Sequence, residues 1–111
     1  SATRTHVATG RLVFTYEPRG WPVGLLTGYA DDHGGFCLEH VVVFPTAPDR
    51  TLMPLLRAGI AEAWARGFAH ITFFIPNDHP LAEALTALAG RVGCTTYAHR
   101  EDGYFWVTYK P

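Results

Sequence analysis

Hydrophobic positions along the chain recur with two different periods, and the change falls near Pro45. Before it the period is two. Arg11 to Tyr16 places Leu12, Phe14 and Tyr16 on one side, which predicts a strand with one buried face. Pro18, Gly20 and Pro22 then mark a turn. Val23 to Ala30 and Phe36 to Phe44 read as the arms of a hairpin joined by Asp31-Asp32-His33-Gly34-Gly35. Val41, Val42, Val43 and Phe44 are apolar at consecutive positions, which predicts a central strand covered on both faces.

After Pro45 the period becomes helical. Thr51 is placed to cap a helix carrying Leu52, Leu55, Leu56, Ile60, Ala63 and Trp64 on one stripe, with Gly67 as its stop. Arg57, Glu62 and Arg66 fall mostly off that stripe, as a surface helix requires. Ile71 to Ile75 is a short strand, and Asp78 and Pro80 open a second helix bearing Leu81, Leu85 and Leu88 that Gly90 closes. Cys94 to His99 and Tyr104 to Tyr109 flank Asp102-Gly103, a hairpin signal. The strand–helix–strand unit from Val41 to Ile75 predicts a right-handed crossover between parallel neighbours. The expected fold is α/β (α+β): residues 1–111 as one domain, with a mixed, mostly antiparallel sheet of about six strands and two main helices packed on it.

Composition narrows the partners. Hydrophobic residues make up 48 %, aromatics 14 % and charged residues 17 % of the 111 positions, so the chain is expected to fold rather than stay disordered. A formal net charge of −1 argues against a protein built mainly to neutralise nucleic-acid phosphates. No apolar run is long enough to span a bilayer and no leader pattern opens the sequence, so a soluble intracellular protein is expected. Cys37 and Cys94 lie in apolar stretches and are expected to be buried free thiols. The histidines (His6, His33, His40, His70, His79, His99) form no HxH or HExxH spacing, so no metal is expected. Strict alternation puts Cys37 and His40 on opposite faces, which rules out a thiol nucleophile with its base.

Several phrases recur in one known order. Val41-Val42-Val43-Phe44-Pro45 precedes a helix from Leu55 to Trp64 that ends in Ala65-Arg66-Gly67-Phe68. Ile71-Thr72-Phe73-Phe74-Ile75-Pro76, Asn77, and Ala82-Glu83-Ala84-Leu85 before Gly90 follow. From Glu39 to about Tyr109 this order resembles the C-terminal two thirds of a GNAT (GCN5-related N-acetyltransferase) domain, and the hairpin before it fits the family's early strands. The two helices usual near that family's N-terminus have no room here, so the domain is expected to be cut short.

The resemblance implies acetyl-CoA as cofactor, held in a splay between the Val41–Pro45 and Ala69–Ile75 strands. It implies Val43, Pro45, Arg50, Thr51 and Asn77 as cofactor contacts. The family's pyrophosphate loop has the form Arg/Gln-x-x-Gly-x-Gly/Ala, and here Pro48-Asp49-Arg50-Thr51-Leu52-Met53-Pro54 stands instead. That loop has no glycine, Pro54 lacks an N–H, and Asp49 adds negative charge, while Arg50 offers a side-chain contact to an anion. Thr86 occupies the position of the family's tyrosine acid, leaving protonation of a departing thiolate to Tyr97, Tyr104 or water. Glu39 lies about two residues from the family's strand glutamate and so on the same strand face, which would make it the base for an amine substrate; the alternative is an ordinary solvated residue at the strand's start.

Two functions are therefore open. One is a GNAT-related acetyltransferase with weak or lost acetyl-CoA-dependent activity. The other is a non-catalytic interaction or assembly module working with a protein partner or its own copies, for example as an accessory component of a bacteriophage particle. Trp21, in a Pro- and Gly-rich turn, either covers a sheet edge or enters a partner. Tyr104, Phe105, Trp106 and Tyr109 alternate across a hairpin, where cross-strand packing competes with stacking on a partner.

Overall fold

The computed structural model describes residues 3–76, 78, 83, 84, 87, 91, 95–101 and 104–110. Among them are the strands β1 (Thr3–Ala8), β2 (Arg11–Tyr16), β3 (Gly24–Ala30), β4 (Phe36–Val43), β5 (Ile71–Pro76), β6 (Thr95–Glu101) and β7 (Tyr104–Lys110). They form one seven-stranded sheet in the order β1-β2-β3-β4-β5-β7-β6. Every neighbouring pair is antiparallel except β4 and β5, which run parallel and are joined through the helix α1 (Leu52–Ala65). The expected parallel neighbours on either side of a helix and the mixed, mostly antiparallel sheet are present. The second helix lies largely outside the described residues; Glu83, Ala84, Ala87 and Arg91, which are described, are helical.

The strand beyond the expected six is β1. Its sequence, Thr3-Arg4-Thr5-His6-Val7-Ala8, has no apolar alternation because it is an edge strand with little to bury. It is held by pairing with β2 and by Glu62 of α1, whose carboxylate accepts hydrogen bonds from the Thr3 and Thr5 hydroxyls at 3.2 and 3.3 Å. The turn Thr9–Gly10 connects β1 to β2, so no helix intervenes between them.

Period alone located α1 well. Leu55, Leu56, Gly59, Ile60 and Ala63 are buried, with Leu52 and Trp64 at the margin of the core. They meet Phe14, Leu26, Phe36, Leu38, Ile71 and Phe73 from the sheet. Gly67 closes the helix at φ 88°, its N–H donating to the Trp64 carbonyl at 3.0 Å. Thr51 sits at the N-cap position but does not cap by its side chain: its hydroxyl donates to the Pro48 carbonyl at 2.5 Å, leaving the first-turn amides uncapped. Thr51 has helical dihedrals (φ −72°, ψ −28°) rather than the extended ones from which an N-cap side chain reaches the first-turn amides, and its hydroxyl takes the local carbonyl instead.

Two burial expectations need correction. The Val41–Phe44 run is not covered on both faces, since Val42 and Val43 are 42 % and 39 % exposed. Cys37 is half-buried rather than buried, and Cys94 lies outside the described residues.

The β3–β4 loop is clamped onto the start of β5. Asp31 Oδ1 accepts the N–H groups of His33 (2.7 Å) and Gly35 (2.8 Å), and Oδ2 lies 3.1 Å from His70 Nε2. The Phe36 N–H donates to the His70 carbonyl and the Ala69 N–H to the Gly34 carbonyl, both at 2.9 Å. Desolvation pushes the Asp31 carboxyl up, but the two amide donors and His70 outweigh it and hold the pKa below its usual value of 3.8. A carboxyl depressed by folding adds stability that is fully present above its unfolded pKa and is lost as pH falls through the folded one. Asp31→Ala is therefore expected to lower the urea midpoint at neutral pH, with the gap to wild type closing as pH is taken below 3.8. A gap that stays constant down to the most acid pH at which the protein folds would refute the assignment.

Candidate functional site

β4 and β5 pair only at Phe36–Ile71, Cys37–Thr72 and Leu38–Phe73, next to the clamp. Past Leu38 they part. β5 continues to pair with β7 from Phe74–Trp106 to Pro76–Tyr104, and β4 continues to pair with β3 as far as Val43–Gly24. Between them opens a V-shaped splay whose near wall is the free edge of β4 from Glu39 to Val43. The Phe44 N–H donates to the Val23 carbonyl at 3.0 Å, toward β3. Alternation along a strand then turns the backbone groups of Val43 and Val41 the other way, into the splay. The exposed Val42 and Val43 make this region apolar as well as rich in backbone donors and acceptors.

A β-bulge opens the V. Gly28 pairs with Leu38 and Thr27 with His40, so Glu39 is the extra residue on β4. A bulge bends its strand and increases the local twist. It also sets the parity of everything beyond it: Leu38 is buried and Val41, three residues on, also packs against the core. Cys37 and His40 consequently share the face away from α1, and the opposite-face argument against them fails. They still make no pair. His40 Nδ1 lies 3.0 Å from the Thr27 hydroxyl, and Cys37 hydrogen-bonds Tyr29, which is the main reason the Tyr29 hydroxyl titrates above its usual 10.0.

Glu39 therefore stands at the vertex of the splay, the first residue beyond the last β4–β5 pair. Its side chain is 24 % exposed and faces Arg11. Arg11 Nη2 donates to Oε2 at 3.1 Å; Nε lies 2.8 Å from Oε1 as a charge contact, with its N–H not aligned on that oxygen. The guanidinium also sits 5.9 Å from the centre of the Tyr29 ring. Arg11 and Tyr29 escaped the sequence reading, because only strand pairing brings β2, β3 and β4 side by side. For the bulge a signal existed. Gly28 is an isolated glycine inside a strand, and a Cβ there would meet the Cys37 carbonyl oxygen at 2.4 Å.

The remaining expected site residues divide. Val43 lies on the splay and Pro45 in the turn just beyond it, closed by the Ala47 N–H donating to the Phe44 carbonyl at 2.9 Å. Arg50 adopts φ 63°, a left-handed conformation that favours glycine. Arg50 and Thr51, together with Trp21, line a cavity on the β2–β3 side of this loop, away from the splay. Asn77 and Thr86 lie outside the described residues; Tyr97 and Tyr104 belong to β6 and β7. Among the described residues no group of three or more His, Cys, Asp or Glu could hold a metal, and no helix is long and apolar enough to cross a membrane.

No protein-family model matches the chain, and no curated protein does. Solved structures do. A Bacillus subtilis acetyltransferase in complex with CoA superposes at TM-score 0.67 and 11 % identity, over 92 % of this chain and 78 % of that one. A GNAT family acetyltransferase from Elizabethkingia anophelis with acetyl-CoA bound gives 0.66 and 12 %, over 93 % and 78 %. The IAA acetyltransferase of Bacillus cereus gives 0.65 and 12 %, over 92 % and 79 %. At such identities the likeness establishes the fold.

Proposed function

Because this chain has the GNAT acetyltransferase fold, we propose that it is a weak acetyl-CoA-dependent N-acyltransferase with Glu39 as its base. The observation that carries the reading is the free, apolar edge of β4 running from the splay's mouth to Glu39, the first residue beyond the last β4–β5 pair. Acetyl-CoA, when bound, supplies an activated thioester. Val41 and Val43, whose backbone groups face away from β3, would hold the cofactor's arm by main-chain hydrogen bonds. Glu39 accepts a proton from the substrate ammonium, directly or through water, and Arg11 fixes the orientation of that carboxylate.

Weakness follows from the loop. Pro45, Pro48 and Pro54 contribute no N–H, Asp49 carries the wrong charge for a diphosphate, and no glycine bares the loop's backbone. Each missing charge-assisted hydrogen bond costs about 1.5–3 kcal/mol, or tenfold or more in affinity.

The test is calorimetric titration with acetyl-CoA. Saturation is expected in the high-micromolar to millimolar range. Val43→Pro is expected to weaken it at least tenfold with little loss of thermal stability, because that N–H faces the splay and not the β3 ladder. Absence of saturation at millimolar acetyl-CoA would overturn the proposal and leave the interaction-module reading. Wild-type affinity in Val43→Pro would place the cofactor elsewhere.

A further inference from the structure

The turn between β2 and β3 and the loop leading into α1 enclose a cavity of about 240 Å³. Among the described residues none of β4 or β5 lines it, which sets it apart from the splay. Three features of its wall suit it to a ligand. Arg19 and Arg50 both reach it, and neither makes an ion pair or hydrogen bond among the described residues, whereas Arg4, Arg11 and Arg66 are paired with Glu17, Glu39 and Glu62. Trp21 presents an indole that is 57 % exposed, with Tyr16 on the same wall. Pro18, Pro48 and Pro54 also line it and fix the backbone, so that the space is preformed and loses little entropy on filling.

We propose that this cavity binds a small planar aromatic monocarboxylate. Unpaired guanidinium groups recognise a carboxylate by paired N–H donors, and an exposed indole offers a flat apolar face to a ring. Asp49 also lines the cavity, so two cations are offset by one anion. That balance favours a single negative charge over the double charge of a phosphate monoester. The volume is below the roughly 300–1,000 Å³ of drug-sized sites, which sets the ligand at one ring or two fused rings.

The probe is benzoate, titrated calorimetrically at low salt, with benzamide (same ring, no charge) and cyclohexanecarboxylate (same charge, no planar face) as comparisons. Benzoate is expected to saturate, and both comparison compounds to bind at least tenfold more weakly. Arg19→Gln and Trp21→Leu are each expected to weaken benzoate about tenfold or more, the loss of one charge-assisted bond or one stacked face. Both side chains are exposed, so melting temperature should not move. Asp49→Asn is expected to tighten binding. Titration of acetyl-CoA into Trp21→Leu should match wild type, which separates this cavity from the splay. No saturation by benzoate in the millimolar range, or equal binding by wild type, Arg19→Gln and Trp21→Leu, would overturn the assignment.

Discussion

Truncating Phe36 to alanine is expected to remove about 3–5 kcal/mol of stability, a large part of the roughly 5–15 kcal/mol that holds a domain folded. Phe36 is 1 % exposed, and its ring lies 5.4 Å from that of Phe14 and 5.3 Å from that of Phe68. Its far edge rests on Gly28, where a Cβ would come within 2.5 Å of Cζ. Glycine has no side chain to move into the space, so the vacated volume persists as a cavity, the condition under which truncation costs most. Phe36 is also opposite Ile71 in the short parallel ladder that closes the splay, so its loss loosens the site's fixed end. Urea unfolding of Phe36→Ala and Phe36→Leu measures this. A loss under about 1 kcal/mol for the alanine variant would show that the core re-packs and that this account of it is wrong.

Glu39→Gln is expected to lower acetyl transfer to an amine by about 10²–10⁴-fold, the usual contribution of a positioned base, while acetyl-CoA affinity is retained. Stability should hardly change. The Glu39–Arg11 pair is partly exposed, with Arg11 at 52 %, and such pairs contribute about 0–1 kcal/mol. The two readouts separate a base from an ordinary surface carboxylate. Arg11→Gln is expected to lower transfer less, since it frees the carboxylate to swing without removing it. Equal transfer rates for wild type and Glu39→Gln would end the case for Glu39 as base while leaving the splay as a cofactor site.

Much of the fold was legible because its signals are local. The 3.6-residue stripe from Leu52 to Trp64 located α1 on the core face, and the two-residue alternation of Leu12, Phe14 and Tyr16 located β2. The parallel partnership of β4 and β5 followed from a helix lying between two apolar strands. β1 was not legible, since an edge strand of Thr, Arg and His owes its place to backbone pairing and to Glu62 on a distant helix. Glu39 was found on its strand but its setting was not. Cys37 and His40 share a face for the same reason: one inserted residue, Glu39, reverses every side-chain direction after it.

Residue type and period by themselves determined six of the seven strands, the main helix and the parallel partnership across it. Tertiary structure alone decided that β4 and β5 part after Leu38, that Arg11 meets Glu39 across two strands, and that Arg19, Trp21 and Arg50 line one cavity. The reason is distance along the chain. Period and capping are fixed by neighbours within a turn or two, whereas a splay, an ion pair and a cavity wall are made by segments tens of residues apart that only strand pairing brings together.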